Sequence, residues 1–99
     1  MTIQAQAWIW EHSRAGGASK LVQLALAELG SYGDDPAVAH IRTAPLVDAL
    51  ARQCNMYPRT VIAALDDLER LRETEFDESP VAGVLICTFR AMQAGANHG

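Results

Sequence analysis

The run from Thr43 to Leu71, TAPLVDALARQCNMYPRTVIAALDDLERL, constrains the fold more than any other part of the chain. Leu46, Val47, Leu50 and Ala51 recur at the spacing of one helical face until Cys54-Asn55-Met56 interrupts them. Thr43 is a natural N-cap for this helix, with Pro45 in its first turn. Pro58 opens a second helix, expected over 58–71, at a position where a missing N–H costs nothing. Val61, Leu65, Leu68 and Leu71 stack along one side of it. Asn55 falls in the connection, and Asn is one of the few residues that tolerate positive φ. The expected local structure is two short amphipathic helices joined by a tight turn.

The rest of the chain supplies a compact frame for that pair. Ninety-nine residues make one small domain with a single core. With 49% of residues apolar, the chain is expected to be globular rather than disordered. Residues 1–17 read as an N-terminal arm carrying Trp8, Ile9 and Trp10, which are costly to expose together. Gly16-Gly17 breaks the chain, and a first helix begins at Ser19 or Ala18. Its apolar stripe is Leu21, Val22, Ala25, Leu26 and Leu29, and Gly30 or Gly33 ends it. Leu24 falls off this stripe. Residues 31–36 read as loop, and AVAHI (37–41) as a short strand.

After the helix pair, residues 72–76 alternate Glu73 and Glu75 with Thr74 and Phe76, as a half-buried strand does. Pro80 and Gly83 supply turn chemistry, and VLICTF (84–89) is the returning strand. Residues 91–99 form a frayed or short helical tail. Residues 18–90 thus carry the order helix–strand–helix–helix–strand–strand. The expected fold is α+β, mainly helical, of winged helix-turn-helix type. Its core is expected from Leu21, Ala25, Leu29, Leu46, Leu50, Val61, Leu65, Leu68 and Ile86.

Two stretches also carry a resemblance. LVDALARQCNMYPRTVIAALDDLERL resembles the helix-turn-helix of actinobacterial winged-helix proteins found among regulators and mobile-element replication proteins. AWIWEHSRAGGASKLVQLALAEL is similar to the N-terminal segment of the same group, where a Trp-x-Trp pair precedes the first helix. Tyr57 stands where such sequences usually have a Ser cap, and Asn55 where Gly is usual. The hairpin corresponding to the wing is not basic. The resemblance implies a small double-stranded-DNA-binding protein in transcription regulation or in replication.

Wheel placement identifies the residues for that role. With Val61, Leu65 and Leu68 inward, Arg59, Ala63, Asp66 and Arg70 point outward, flanked by Thr60 and Asp67. In a helix-turn-helix the N-terminal end of the second helix meets base edges in the major groove. Arg59 suits bidentate reading of guanine, and Thr60 or the Tyr57 hydroxyl suits a phosphate. The DNA-facing set is Thr43, Tyr57, Arg59, Thr60, Ala63 and Arg70, with Arg14 or Lys20 contributing charge from the N-terminal region. The competing reading pairs Arg59 and Arg70 with Asp66 and Glu69 on a solvated face.

Charge argues against strong phosphate binding. Twelve acidic and eight basic residues give a net charge of −4, and residues 73–83 hold no Lys or Arg. The segment from Arg42 to Arg59, with three arginines and one Asp, allows a modest positive face. An interaction module that keeps the winged helix without DNA binding is therefore the alternative. Weak charge per protomer, together with Trp8, Ile9, Trp10 and Leu24 left over, points to a homodimer through the arm and first helix; the alternative is an arm that folds back over its own domain and covers Leu24 in cis.

Other chemistry finds no support in the residues. His12, His40 and His98 do not cluster with Cys54 and Cys87, so no metal site, cofactor or catalytic centre is expected. Asp66 and Asp67, being adjacent, diverge around a helix and make a poor acid–base pair. The start of the sequence has neither the basic n-region nor the apolar run of a signal peptide, and no segment has the roughly 18 apolar residues of a membrane span. A cytoplasmic, nucleoid-associated location is expected.

Overall fold

The computed structural model describes residues 3–35, 37–42 and 44–90. Thr43 and residues 91–99, to which a cap and a tail were assigned above, lie outside the described residues. Among the described residues, four helices and a four-stranded antiparallel sheet form an α+β fold. Helix α1 spans Ile3–His12 and α2 spans Gly17–Leu29; α3 covers Leu46–Cys54 and α4 covers Pro58–Arg70. The strands are β1 (Ser31–Tyr32), β2 (Val38–Arg42), β3 (Thr74–Glu78) and β4 (Val84–Phe89).

Local chemistry sets the ends of the helix pair. Helix α3 stops at Asn55, whose φ of 53° and ψ of 54° are left-handed, and the Met56 N–H donates to the Ala51 carbonyl at 2.9 Å. Tyr57 is extended and its carbonyl accepts from the Thr60 and Val61 N–H groups, which starts α4 directly at Pro58. Pro45 is the residue before α3 rather than part of its first turn. At the end of α2 the Gly30 N–H returns to the Leu26 carbonyl. Gly30 is required there by space: a Cβ would lie 2.5 Å from the Ala39 Cβ, so only glycine lets the helix end abut β2.

The sheet runs β1-β2-β4-β3. Strand β4 is central, pairing Ala39 with Cys87 on one side and Phe76 with Cys87 on the other. The β3–β4 hairpin turns through Gly83, whose φ of +77° suits glycine. Residues 31–36 were expected to be loop, yet Ser31 and Tyr32 pair with His40 and Ala39. The Tyr32 hydroxyl then donates to the Ala27 carbonyl at 2.6 Å, and burial pushes the phenol well above its usual pKa range. Strands β2 and β3 also begin later than alternation indicated, at Val38 and Thr74.

The core lies between the sheet and α2, α3 and α4, with α1 laid on α2. Val22, Leu26, Leu50, Val61, Leu68, Cys87 and Phe89 are fully buried. Each such aliphatic or aromatic side chain is stabilising by about 1.5–3 kcal/mol. The arm expected over 1–17 is mostly helix, and it folds back over its own domain: Ile9 is fully buried, while Trp8 and Leu24 pack partly buried against the core.

Several expected core positions are corrected. Ala25, Leu50, Val61 and Leu68 are buried, and Leu46 and Leu65 are half-buried. Leu21 and Leu29, however, are 50% and 39% exposed. The inward face of α2 keeps Val22, Ala25 and Leu26 of the expected stripe and adds Ser19, Gln23 and Ala27, because α2 packs against both α1 and α4. On β4 the buried residues are Cys87 and Phe89, which leaves Ile86 on the half-covered opposite face. No helix among the described residues is long and apolar enough to cross a membrane.

Candidate nucleic-acid interface

Helix α4 presents one face to solvent. Arg59, Ile62, Ala63, Asp66, Glu69 and Arg70 are all exposed, opposite the buried Val61, Ala64 and Leu68. Thr60 and Asp67 flank this face half-buried, as the wheel predicted. At its start Tyr57 is 69% exposed and the Arg59 guanidinium lies 5.3 Å from the centre of the Tyr57 ring. This cation–π contact holds the arginine head near the turn. The turn itself borders an open cleft of about 720 Å³ lined by Asp48, Arg52, Asn55, Met56, Tyr57 and Pro58.

The basic residues divide into engaged and free. Arg70 pairs with Asp67, which also accepts from the Ser19 hydroxyl at 2.8 Å. The Ser19 hydrogen bond first, and then Arg70, hold the Asp67 carboxyl below its usual pKa range. Arg70 was expected to face DNA. It stands some 16 Å along the axis from Arg59 at about 1.5 Å per residue, at the far end of the helix and ion-paired. Its expected partners were Asp66 and Glu69; Asp67 takes that place.

Arg14 is likewise committed. Its Nε meets the Glu73 carboxylate at 2.9 Å and a terminal guanidinium nitrogen donates to the Leu71 carbonyl. Lys20 donates to the Trp10 carbonyl at 3.0 Å and sits 5.4 Å from that ring. Arg90 pairs with Glu75. Among the described residues, Arg42, Arg52, Arg59 and Arg72, like Lys20, have no ion-pair partner. Two of these, Arg52 and Arg59, flank the α3–α4 turn, and the charged residues of the β3–β4 hairpin are Glu75, Asp77 and Glu78.

Sequence reasoning missed two features. Glu73, assigned with Glu75 to an outward strand face, is 4% exposed and lies just before β3. It joins a buried polar cluster in which the Gln23 amide donates to the Glu73 carbonyl and the Thr74 hydroxyl, and the Ser13 hydroxyl donates to Gln23. The signal was Gln23 itself, a lone amide inside an apolar helix. The second feature is Ile62, 57% exposed in the middle of the outward face of α4.

The remaining titratable groups stay apart. Among the described residues no three His, Cys, Asp or Glu side chains converge on a common point. His12 stacks on Trp8 with ring centres 4.3 Å apart. Cys54 and Cys87 are free thiols, and burial pushes both up in pKa. No protein-family model, curated protein or solved structure is significantly similar to this chain.

Proposed function

We propose that this chain is a winged-helix protein that binds double-stranded DNA, with α4 in the major groove, in a regulatory or replication-accessory role at the nucleoid. The observation that carries this reading is the exposed N-terminal end of α4, where Arg59 projects free of any ion pair among the described residues beside a turn built on left-handed Asn55. The order α2-β2-α3-α4-β3-β4, with β4 between β2 and β3, supports it as the topology a winged helix requires. Of the residues expected at DNA, Tyr57, Arg59, Thr60 and Ala63 share this end of α4.

Arg59→Ala tests the reading. It is expected to cost about 1–3 kcal/mol on a selected site and much less on random duplex, measured by gel-shift titration at low salt. Equal losses on both substrates would mark a phosphate contact, and no loss on either would remove α4 from the interface.

The second reading, an interaction module without DNA binding, is favoured by the acidic hairpin and by the engagement of Arg14, Lys20 and Arg70 within the fold. Failure of every duplex to shift at low salt would establish it over the first.

Homodimerisation belongs to the same proposal, with the contact residues redrawn. Trp8 and Leu24 are partly covered within the protomer, whereas Trp10 is 63% and Leu21 50% exposed. A two-fold contact through α1 and α2 therefore centres on Trp10 and Leu21. Light scattering is expected to give a dimer for wild type and a monomer for the Trp10→Ser, Leu21→Ser double variant. A wild type that stays monomeric at high concentration would end this part of the proposal.

A further inference from the structure

Ile62 is the anomaly on α4. It is 57% exposed, the largest apolar side chain on a face otherwise made of Arg59, Ala63, Asp66, Glu69 and Arg70. The core does not use it, and leaving it in water forgoes the stabilisation that burial gives. Arg59, Ile62, Ala63 and Asp66 follow the spacing i, i+3, i+4, i+7, so they form one continuous ridge. From its N-terminal end the ridge offers a fork of donors, then an apolar step, then a carboxylate acceptor.

We propose that Ile62, with Ala63 beside it, contacts the 5-methyl group of a thymine next to the base pair read by Arg59. The inference rests on the DNA-binding reading of α4 given above.

Three physical points carry it. Thymine is the base whose major-groove edge presents a methyl group, so an apolar side chain on a groove-facing ridge has one complementary target there. Ile62 lies about 4.5 Å along the helix axis from Arg59, of the same order as the roughly 3.4 Å rise between successive base pairs. A β-branched side chain is also stiff at χ1, so its methyl groups are presented at small entropic cost. A polyanion suits this end of the ridge because Arg59 at its head and Arg52 beside the turn belong, with Arg42 and Arg72, to the arginines that have no ion-pair partner among the described residues. A partner protein groove would leave both guanidinium groups to find carboxylates of its own. Asp66, further along, suits the cytosine amino group and disfavours misplaced phosphates, which sharpens selection at the cost of non-specific affinity.

The experiment starts from duplexes that the full chain retains from a random-sequence library at low salt. Each thymine of a retained site is replaced singly by deoxyuridine, which removes the methyl group and leaves every hydrogen-bonding atom in place. Wild type is expected to lose about fourfold in affinity at one position, the equivalent of one buried methyl group. Ile62→Ala should bind the thymine site about fourfold more weakly than wild type and be indifferent to the replacement. Ile62→Val should keep most of the discrimination. Because Ile62 is exposed, both variants are expected to melt with wild type, which separates lost contact from lost fold. If wild type binds thymine and deoxyuridine sites equally while Arg59→Ala still weakens binding, the methyl contact is wrong and the DNA reading stands. If folded wild type retains no duplex, the DNA reading itself falls and this inference with it.

Discussion

Val61→Asp is expected to abolish the cooperative thermal transition of the domain. Val61 is fully buried on the inward face of α4, in the cluster that includes Leu26, Leu50 and Leu68. A carboxylate there sits among apolar side chains and must be desolvated or protonated. The cost of roughly 5 kcal/mol or more is comparable with the whole net stability of a small domain, about 5–15 kcal/mol. Ile62→Asp, one residue along and exposed, is the control and is expected to leave the melt nearly unchanged. Circular dichroism melts read both. A Val61→Asp variant that unfolds within a degree or two of wild type would put the inward face of α4 elsewhere.

Phe89→Ala carries the second large effect. Phe89 is fully buried at the end of the central strand, and its N–H donates to the Ala37 carbonyl at 2.8 Å. Truncation removes the ring but leaves that backbone bond, so the loss is one of packing. A cost of about 3–5 kcal/mol is expected. For a domain of this size that lowers the melting temperature by roughly 15–30 °C. Ile86→Ala, on the half-covered face of the same strand, is expected to cost less than half as much. Equal losses at the two positions would show that both faces of β4 are buried alike.

This pair of variants addresses a point that alternation could not resolve. VLICTF is apolar throughout, so the strand was evident from residues 84–89 while its buried face was not. The parity is set by pairing: Cys87 lies opposite Ala39 and Phe76, and that register turns Cys87 and Phe89 toward the helices. A one-residue shift would have placed Ile86 inward as expected.

Helix α2 illustrates the same limit for period 3.6. Leu21, Val22, Leu24, Ala25, Leu26 and Leu29 cover so much of its circumference that the sequence defines a broad apolar band without a centre. The contacts with α1 and α4 choose the centre, and they place Gln23 inside because the Glu73 carbonyl and Thr74 hydroxyl satisfy its amide there. Leu21 and Leu29 are left toward solvent as a consequence.

What the residues determine alone is the local structure between Leu46 and Arg70. Regular apolar spacing, an Asn able to adopt positive φ and a proline fitted to a first helical turn act over a few residues, and all three operate in the fold. What only the tertiary structure decides is long-range. The register that turns Cys87 and Phe89 inward, the capture of Arg14 by Glu73 and the outward position of Ile62 each depend on segments distant in the chain. Helix periods and turn propensities are short-range energies. Burial, sheet register and ion pairing at this site depend on which surfaces meet, and that is settled when the whole core closes.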